Sequence, residues 1–335
     1  MAIENLSELE RWQPPNRGNS IISDGILDPG TAMLLFGPPK SWKSMASLNL
    51  AFSIASGLPW FGYSTTQSVV LIFQAELPKA VFKKRVMKFR AHFPTTRLVS
   101  DESELTLPST SSSTDLVTSR SLSDGKSFGL DANNSLSGLD ANNPWVLAPN
   151  SALPNLLFET NNYCKLDTTY GKDVLNSCLL QCKSRFPNWH ITIILDPVYL
   201  LMSGKVSEEY DVRRMLDNLN ELRNRHDLSI ILIHHSHKTR VTTEGEVIDT
   251  GSDEIFGSGY FNFWCDTEVR LKRMNPFGLD NRIEHSFTLT RNAERVLMPF
   301  EVEWSRATLQ PTLIFTKPPA TQSEDDVTSR GLSTQ

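Results

Sequence analysis

The chain has 335 residues, 39% hydrophobic and 21% charged, with a formal charge of -5. That length suits one to two domains with a real core, and the negative balance excludes a global basic footprint, so any nucleic-acid contact has to be local. No apolar run reaches membrane-spanning length, residues 1–17 are too polar for a signal peptide, and the four cysteines, with no C-x-x-C pair, read as reduced cytoplasmic thiols.

Residues 1–20 are polar, carry Pro14-Pro15 and Gly18, and read as an arm ahead of a folded domain spanning 21–315. The run Ala32-Met33-Leu34-Leu35-Phe36 is strand-like, and residues 45–55 are small and apolar at helical spacing. Between them lies Gly37-Pro38-Pro39-Lys40-Ser41-Trp42-Lys43-Ser44. Strand, tight loop and helix opening at Lys43-Ser44 is the context of a phosphate-binding P-loop. Loop N–H groups and the positive helix end converge on one point, where a triphosphate can replace water. Lys43 then reaches the β- and γ-phosphates of ATP, and the Ser44 hydroxyl binds Mg²⁺. The pattern expects glycine at position 42, where this chain has Trp. Either Trp42 holds a strained backbone or the loop differs, with the ring over the nucleotide or turned outward.

Residues 68–73 form a continuous apolar run, as in a parallel strand buried on both faces. It ends in Gln74-Ala75-Glu76, placing a carboxylate at the edge where open α/β sheets bind ligands. Glu76 is the candidate base for the water that attacks the γ-phosphate. Residues 79–92 read as a basic amphipathic helix, with Val81, Phe82, Val86 and Phe89 inward and the basic side a solvated face. From 101 to 150 Ser, Thr, Asn, Asp and Gly dominate, and Gly-Leu-Asp-Ala-Asn-Asn occurs at 129–134 and 138–143. Such a segment buries too little apolar surface to offset its ordering entropy and reads as a disordered insertion.

Order resumes at 153–158, followed by a helix over 171–185. Residues 191–196 give a second buried strand ending in Asp196, the Walker B form in which the acid holds Mg²⁺. A long amphipathic helix covers 208–226, and a third buried strand, 228–233, runs into His234-His235-Ser236-His237-Lys238. Consecutive strand residues point to opposite faces, so a polar sensor at the catalytic edge fits better than zinc. A polar loop occupies 239–256, then alternating strands at 267–273, 284–291 and 300–304 extend the sheet in antiparallel fashion. Residues 316–335 read as a disordered tail.

Phosphate loop, strand-end Glu, Walker B Asp and strand-end His cluster, in this order, resemble the RecA-like ATPases. Among them the chain resembles the AAA-type group around the plasmid replicative helicase RepA. The likeness includes residues 55–62, 233–238 and Gly257-Ser258-Gly259, and covers about 20–100 and 153–305. It implies an α/β RecA-like P-loop fold, with a mostly parallel central sheet, helices on both faces and antiparallel strands at the C-terminal edge. It further implies Glu76 as base, Lys43 and Ser44 as ATP and Mg²⁺ ligands, Asp196 as Walker B acid and His235 as γ-phosphate sensor. The loop 239–256 falls where relatives contact DNA, but it is acidic here. Arg291 falls in the region of an arginine that acts on the neighbouring subunit's site, with Arg295 a rival. The implied protein is a homo-oligomeric ring or filament acting on single-stranded DNA. The alternative is an ATP-dependent switch of a mobile element or phage that acts through protein partners.

Overall fold

Strand β1 (Ala32–Gly37) is buried at every position, and its side chains divide strictly by parity. Met33 and Leu35 join one apolar cluster, while Ala32, Leu34 and Phe36 join another. A strand can be apolar throughout only if both sheet faces are covered, and the rest of the fold supplies those covers. In the computed structural model the described residues are 5–11, 20–93, 97–99, 153–160, 164–236, 240–241, 247–248, 255, 257, 259–275, 281–293 and 295–314. The expected insertion at 101–150 and tail at 316–335 lie outside them, as does most of the loop 239–256.

The described residues build a ten-stranded sheet in the order β3-β12-β11-β10-β9-β1-β6-β5-β2-β4. Its parallel block contains β2 (Val69–Gln74), β4 (Leu156–Glu159), β5 (Ile191–Asp196), β6 (Leu228–His235) and β9 (Thr267–Arg273) beside β1. The antiparallel strands β10 (Arg282–Thr290), β11 (Phe300–Trp304) and β12 (Pro311–Ile314) extend it, and β3 (Arg97–Val99) pairs parallel to β12 at the rim. A separate two-residue ladder joins β7 (Arg240–Val241) to β8 (Val247–Ile248).

On one face lie α2 (Lys43–Ser56) and α3 (Lys79–Arg90); on the other lie α4 (Thr169–Arg185), α5 (Glu209–His226) and α6 (Tyr260–Trp264). A short helix, α1, spans Leu6–Arg11. Helix α2 is almost wholly buried and stops at Gly57, whose left-handed φ of 72° lets its N–H close on Ile54 and Ser53. Two sequence expectations need correction. Val81 does not join the apolar stripe of α3; it is 48% exposed, because the buried row Phe82, Val86, Phe89 follows the four-then-three spacing and excludes it. The C-terminal extension has a further strand, β12, closed onto α3 by Gln310 Nε2 donating to the Phe89 carbonyl at 2.7 Å. Among the described residues, no helix is long and apolar enough to cross a membrane.

Candidate active site

Parallel strands deliver their C-terminal ends to one edge, and here that edge carries five of the candidate residues. Register places Gly37 beside His235 and Gln74 beside Asp196. The chain then bends so that the Ala75 N–H donates to the Asp196 carbonyl at 3.0 Å, leaving Glu76 exposed just beyond. A cleft of about 530 Å³ opens there, and Lys43, Ser44, Glu76, Asp196 and His235 all line it. The structure thus brings five of the sequence-predicted residues together.

The phosphate loop runs from Gly37 into α2. Glycine is required at 37 because a Cβ there would meet the Leu271 carbonyl oxygen at 2.4 Å. Trp42 caps the helix at φ 61°, ψ 18°, the left-handed conformation that glycine would adopt without strain. Its ring neither turns outward nor stands alone. It stacks on Trp304 of β11, centroids 5.6 Å apart and planes 10° from parallel. The aromatic contact offsets part of the backbone strain. Pro38, Pro39, Lys40 and Ser41 complete the loop; Lys40 is also left-handed, at φ 66°, and the buried Ser41 hydroxyl has no hydrogen-bond partner.

Lys43 is 7% exposed and donates to the carbonyls of Gly37 at 2.8 Å and Pro38 at 2.7 Å. Burial lowers its pKa to about 8, against the opposing pull of the Asp196 and Glu76 carboxylates. Asp196 is 3% exposed, and Ser47 Oγ donates to its Oδ2 at 3.1 Å. Burial raises its pKa to about 6, opposed by the Ser47 hydrogen bond and reinforced by Glu76. The Ser44 hydroxyl also pulls the Asp196 pKa down, and both residues line the cleft, so a hydroxyl and a carboxylate share its wall. An all-oxygen pair that leaves most positions to water and phosphate fits Mg²⁺.

The two strand-end histidines separate as alternation requires. His234 is buried against Phe261, with ring centroids 4.6 Å apart. His235 faces the cleft under the edge of Tyr199, at 5.3 Å, and its Nδ1 has no hydrogen-bond partner. Burial and the neighbouring Lys43 lower its pKa to about 4, so the imidazole is neutral at pH 7. His237 lies outside the described residues.

Arg291 is elsewhere. It follows β10, whose last residue pairs with Thr267 at the start of β9, so it sits on the sheet edge opposite the phosphate loop. There its guanidinium donates to the Phe263 carbonyl at 2.9 Å. Arg295 is paired with Asp24 at 2.8 Å. Neither can reach its own chain's cleft; either would have to act on a neighbour. Sequence reasoning missed Ser47, Tyr199, Arg85 and Arg306. Ser47 was findable, one helical turn after Ser44 on the face toward β5. Arg85 and Arg306, which line the cleft, carry no local signal.

Comparison with known proteins gives the family and the fold. The family described as AAA domain matches residues 4–130 and 191–241, more than half of the chain. The chain belongs to the AAA domain family. No curated protein matches it. Among solved structures, a DnaB-like replicative helicase, described with its interactions with primase, aligns with a TM-score of 0.51 at 11% identity, covering 86% of this chain and 59% of that one. A structure described as an ATPase domain aligns at 0.47 with 11% identity, over 86% and 85% of the two chains. The RadB recombinase aligns at 0.44 with 14% identity, over 86% and 92%. This AAA domain thus has the RecA-like P-loop fold of nucleoside triphosphatases, and it spans 59% of the helicase chain's length.

Proposed function

We propose that this protein hydrolyses ATP as a RecA-like motor, assembling as a homo-oligomeric ring or filament that acts on single-stranded DNA in replication or recombination. Within that class the plasmid replicative helicase RepA group is the one its motifs resemble. The observation that carries the reading is the convergence of Lys43, Ser44, Asp196, Glu76 and His235 on one cleft at the C-terminal edge of a parallel sheet.

The roles follow from chemistry. Lys43 leaves the Gly37 and Pro38 carbonyls to bind the β- and γ-phosphate oxygens, and loop N–H groups at the head of α2 take the rest. Ser44 and Asp196 would hold Mg²⁺, which supplies charge neutralisation across the phosphates. Glu76 accepts the proton of the attacking water as its oxygen bonds to the γ-phosphorus and the bond to the β-bridging oxygen breaks. Neutral His235, which lines the cleft under the edge of Tyr199, hydrogen-bonds the γ-phosphate, while its Nδ1 is buried and has no hydrogen-bond partner. Arg291 reaches across a subunit boundary to the neighbour's phosphates.

The test is the ATPase rate with and without single-stranded DNA, for wild type and Glu76→Gln. DNA stimulation of a Glu76-dependent rate supports the motor. Glu76-dependent turnover indifferent to DNA supports instead the ATP-dependent switch acting on protein partners, which the acidic residues of 239–256 favour.

A further inference from the structure

The cleft has a wall that none of the motifs accounts for. Strand β11 runs antiparallel to β10, and its Trp304 end therefore returns to the edge that bears the phosphate loop. The turn into β12 carries Arg306 and Leu309 to the cleft, which Arg85 of α3 also lines. This turn is held from several sides. Its carbonyl at Arg306 accepts from Lys88 Nζ at 3.1 Å, and Ser305 N–H donates to the Gln310 carbonyl at 3.0 Å. Arg306 Nε donates to Asn281 Oδ1 at 3.1 Å. Trp42 on Trp304 ties the same strand directly to the phosphate loop. The guanidinium is thus presented on a braced turn rather than on a free loop.

Charge points the same way. Cations Lys40, Lys43, Arg85 and Arg306 line the cleft against two acids, Glu76 and Asp196. Arg282, Arg225 and Arg295 are each paired with a carboxylate, at Glu301, Glu221 and Asp24. Among the described residues no carboxylate pairs with Arg306 or Arg85. A cluster of cations left in excess beside a phosphate loop selects a polyanion.

We propose that Arg306, together with Arg85, binds the phosphates of the nucleotide held by its own chain, so that the site carries a guanidinium independent of any neighbour. This rests on the reading of the cleft as an ATP site. It also divides the arginines by sheet edge: Arg306 serves its own site, and Arg291, on the far edge, can serve only another's. An arginine fork matches phosphate geometry in a way a lysine does not.

The experiment measures MgATPγS affinity by titration calorimetry and MgATP turnover for wild type, Lys43→Ala, Arg306→Ala and Arg306→Lys. Arg306 is exposed, so Arg306→Ala should melt within about 2 °C of wild type. Its affinity should fall roughly 10- to 100-fold, with part of the loss restored by Arg306→Lys. Mixing Arg306→Ala with Glu76→Gln protein should recover no turnover, because both residues belong to one site. Unchanged affinity and turnover in Arg306→Ala would overturn the proposal. So would recovery on mixing, or an equal loss in both Arg306 variants accompanied by a lowered melting temperature, which would assign Arg306 to packing alone. Wild-type protein that fails to bind MgATPγS, or Lys43→Ala that binds it equally well, would instead overturn the ATP reading, and this proposal with it.

Discussion

Substitution of Trp42 separates the strain in the phosphate loop from the contact that offsets it. The backbone sits at φ 61°, ψ 18°, which costs an L-residue about 1–2 kcal/mol. Stacking on Trp304 returns about 0.5–1.5 kcal/mol beyond the area the half-buried ring removes from water. Trp42→Ala loses the ring and keeps the strain, and should destabilise by about 2 kcal/mol. Trp42→Gly also loses the ring but relieves the strain, at the expense of about 0.5–1 kcal/mol of extra unfolded-state entropy. The glycine variant should therefore be more stable than the alanine variant by about 0.5–1 kcal/mol, and both less stable than wild type. At about 2–4 °C per kcal/mol for a domain of this size, Trp42→Gly should melt a few degrees above Trp42→Ala by far-UV circular dichroism. That order reverses the preference for alanine inside a helix, and it reports the left-handed backbone together with the ordinary preference for glycine over alanine at an N-cap. Trp42→Ala as stable as Trp42→Gly, or more so, would refute the assignment of strain at this position.

Lys43→Ala should abolish MgATP binding in a titration, because it removes the charge-assisted phosphate contact at the centre of the loop; near wild-type affinity would show that the loop does not bind phosphate. Asp196→Asn should weaken MgATP binding at least roughly tenfold and flatten its dependence on Mg²⁺ concentration, since a Mg²⁺ ligand loses its charge. The free enzyme's kcat/KM should be bell-shaped. It should fall below about pH 6, as burial-raised Asp196 takes up a proton and can no longer hold Mg²⁺, and fall above about pH 8, as burial-lowered Lys43 loses its charge. His235, lowered to about 4, should add no step between pH 5 and 8, so His235→Gln should keep the same profile at reduced rate.

The parallel core was legible because both-face burial writes itself as continuous apolar runs. Residues 68–73, 191–196 and 228–233 read as strands from their sequence, and their polar ends, Glu76, Asp196 and His235, mark the edge where they meet. The left-handed cap at Trp42 was legible only as a conflict: glycine was expected, and sequence could not say that a tryptophan 262 positions later, at Trp304, would offset the strain. The β11–β12 wall was hidden for a related reason. Strand β12 is four residues long and opens on Pro311, too short for a period-two pattern to register. Arg306 reaches the cleft only through antiparallel pairing with a strand whose register no local signal specifies. In α3, Val81 was misassigned because composition alone does not fix which of two adjacent apolar residues faces inward.

The central claim is that this cleft hydrolyses ATP with Glu76 as the proton acceptor, and Glu76→Gln tests it most directly. Glu76 is exposed at the rim, so the substitution should leave folding intact and MgATP affinity within about threefold of wild type, since a uniform binding contact is not what it removes. Phosphate release should fall at least about 100-fold, the usual contribution of a positioned base. Turnover that survives within about threefold, with binding intact, would contradict the account and move the base to another group.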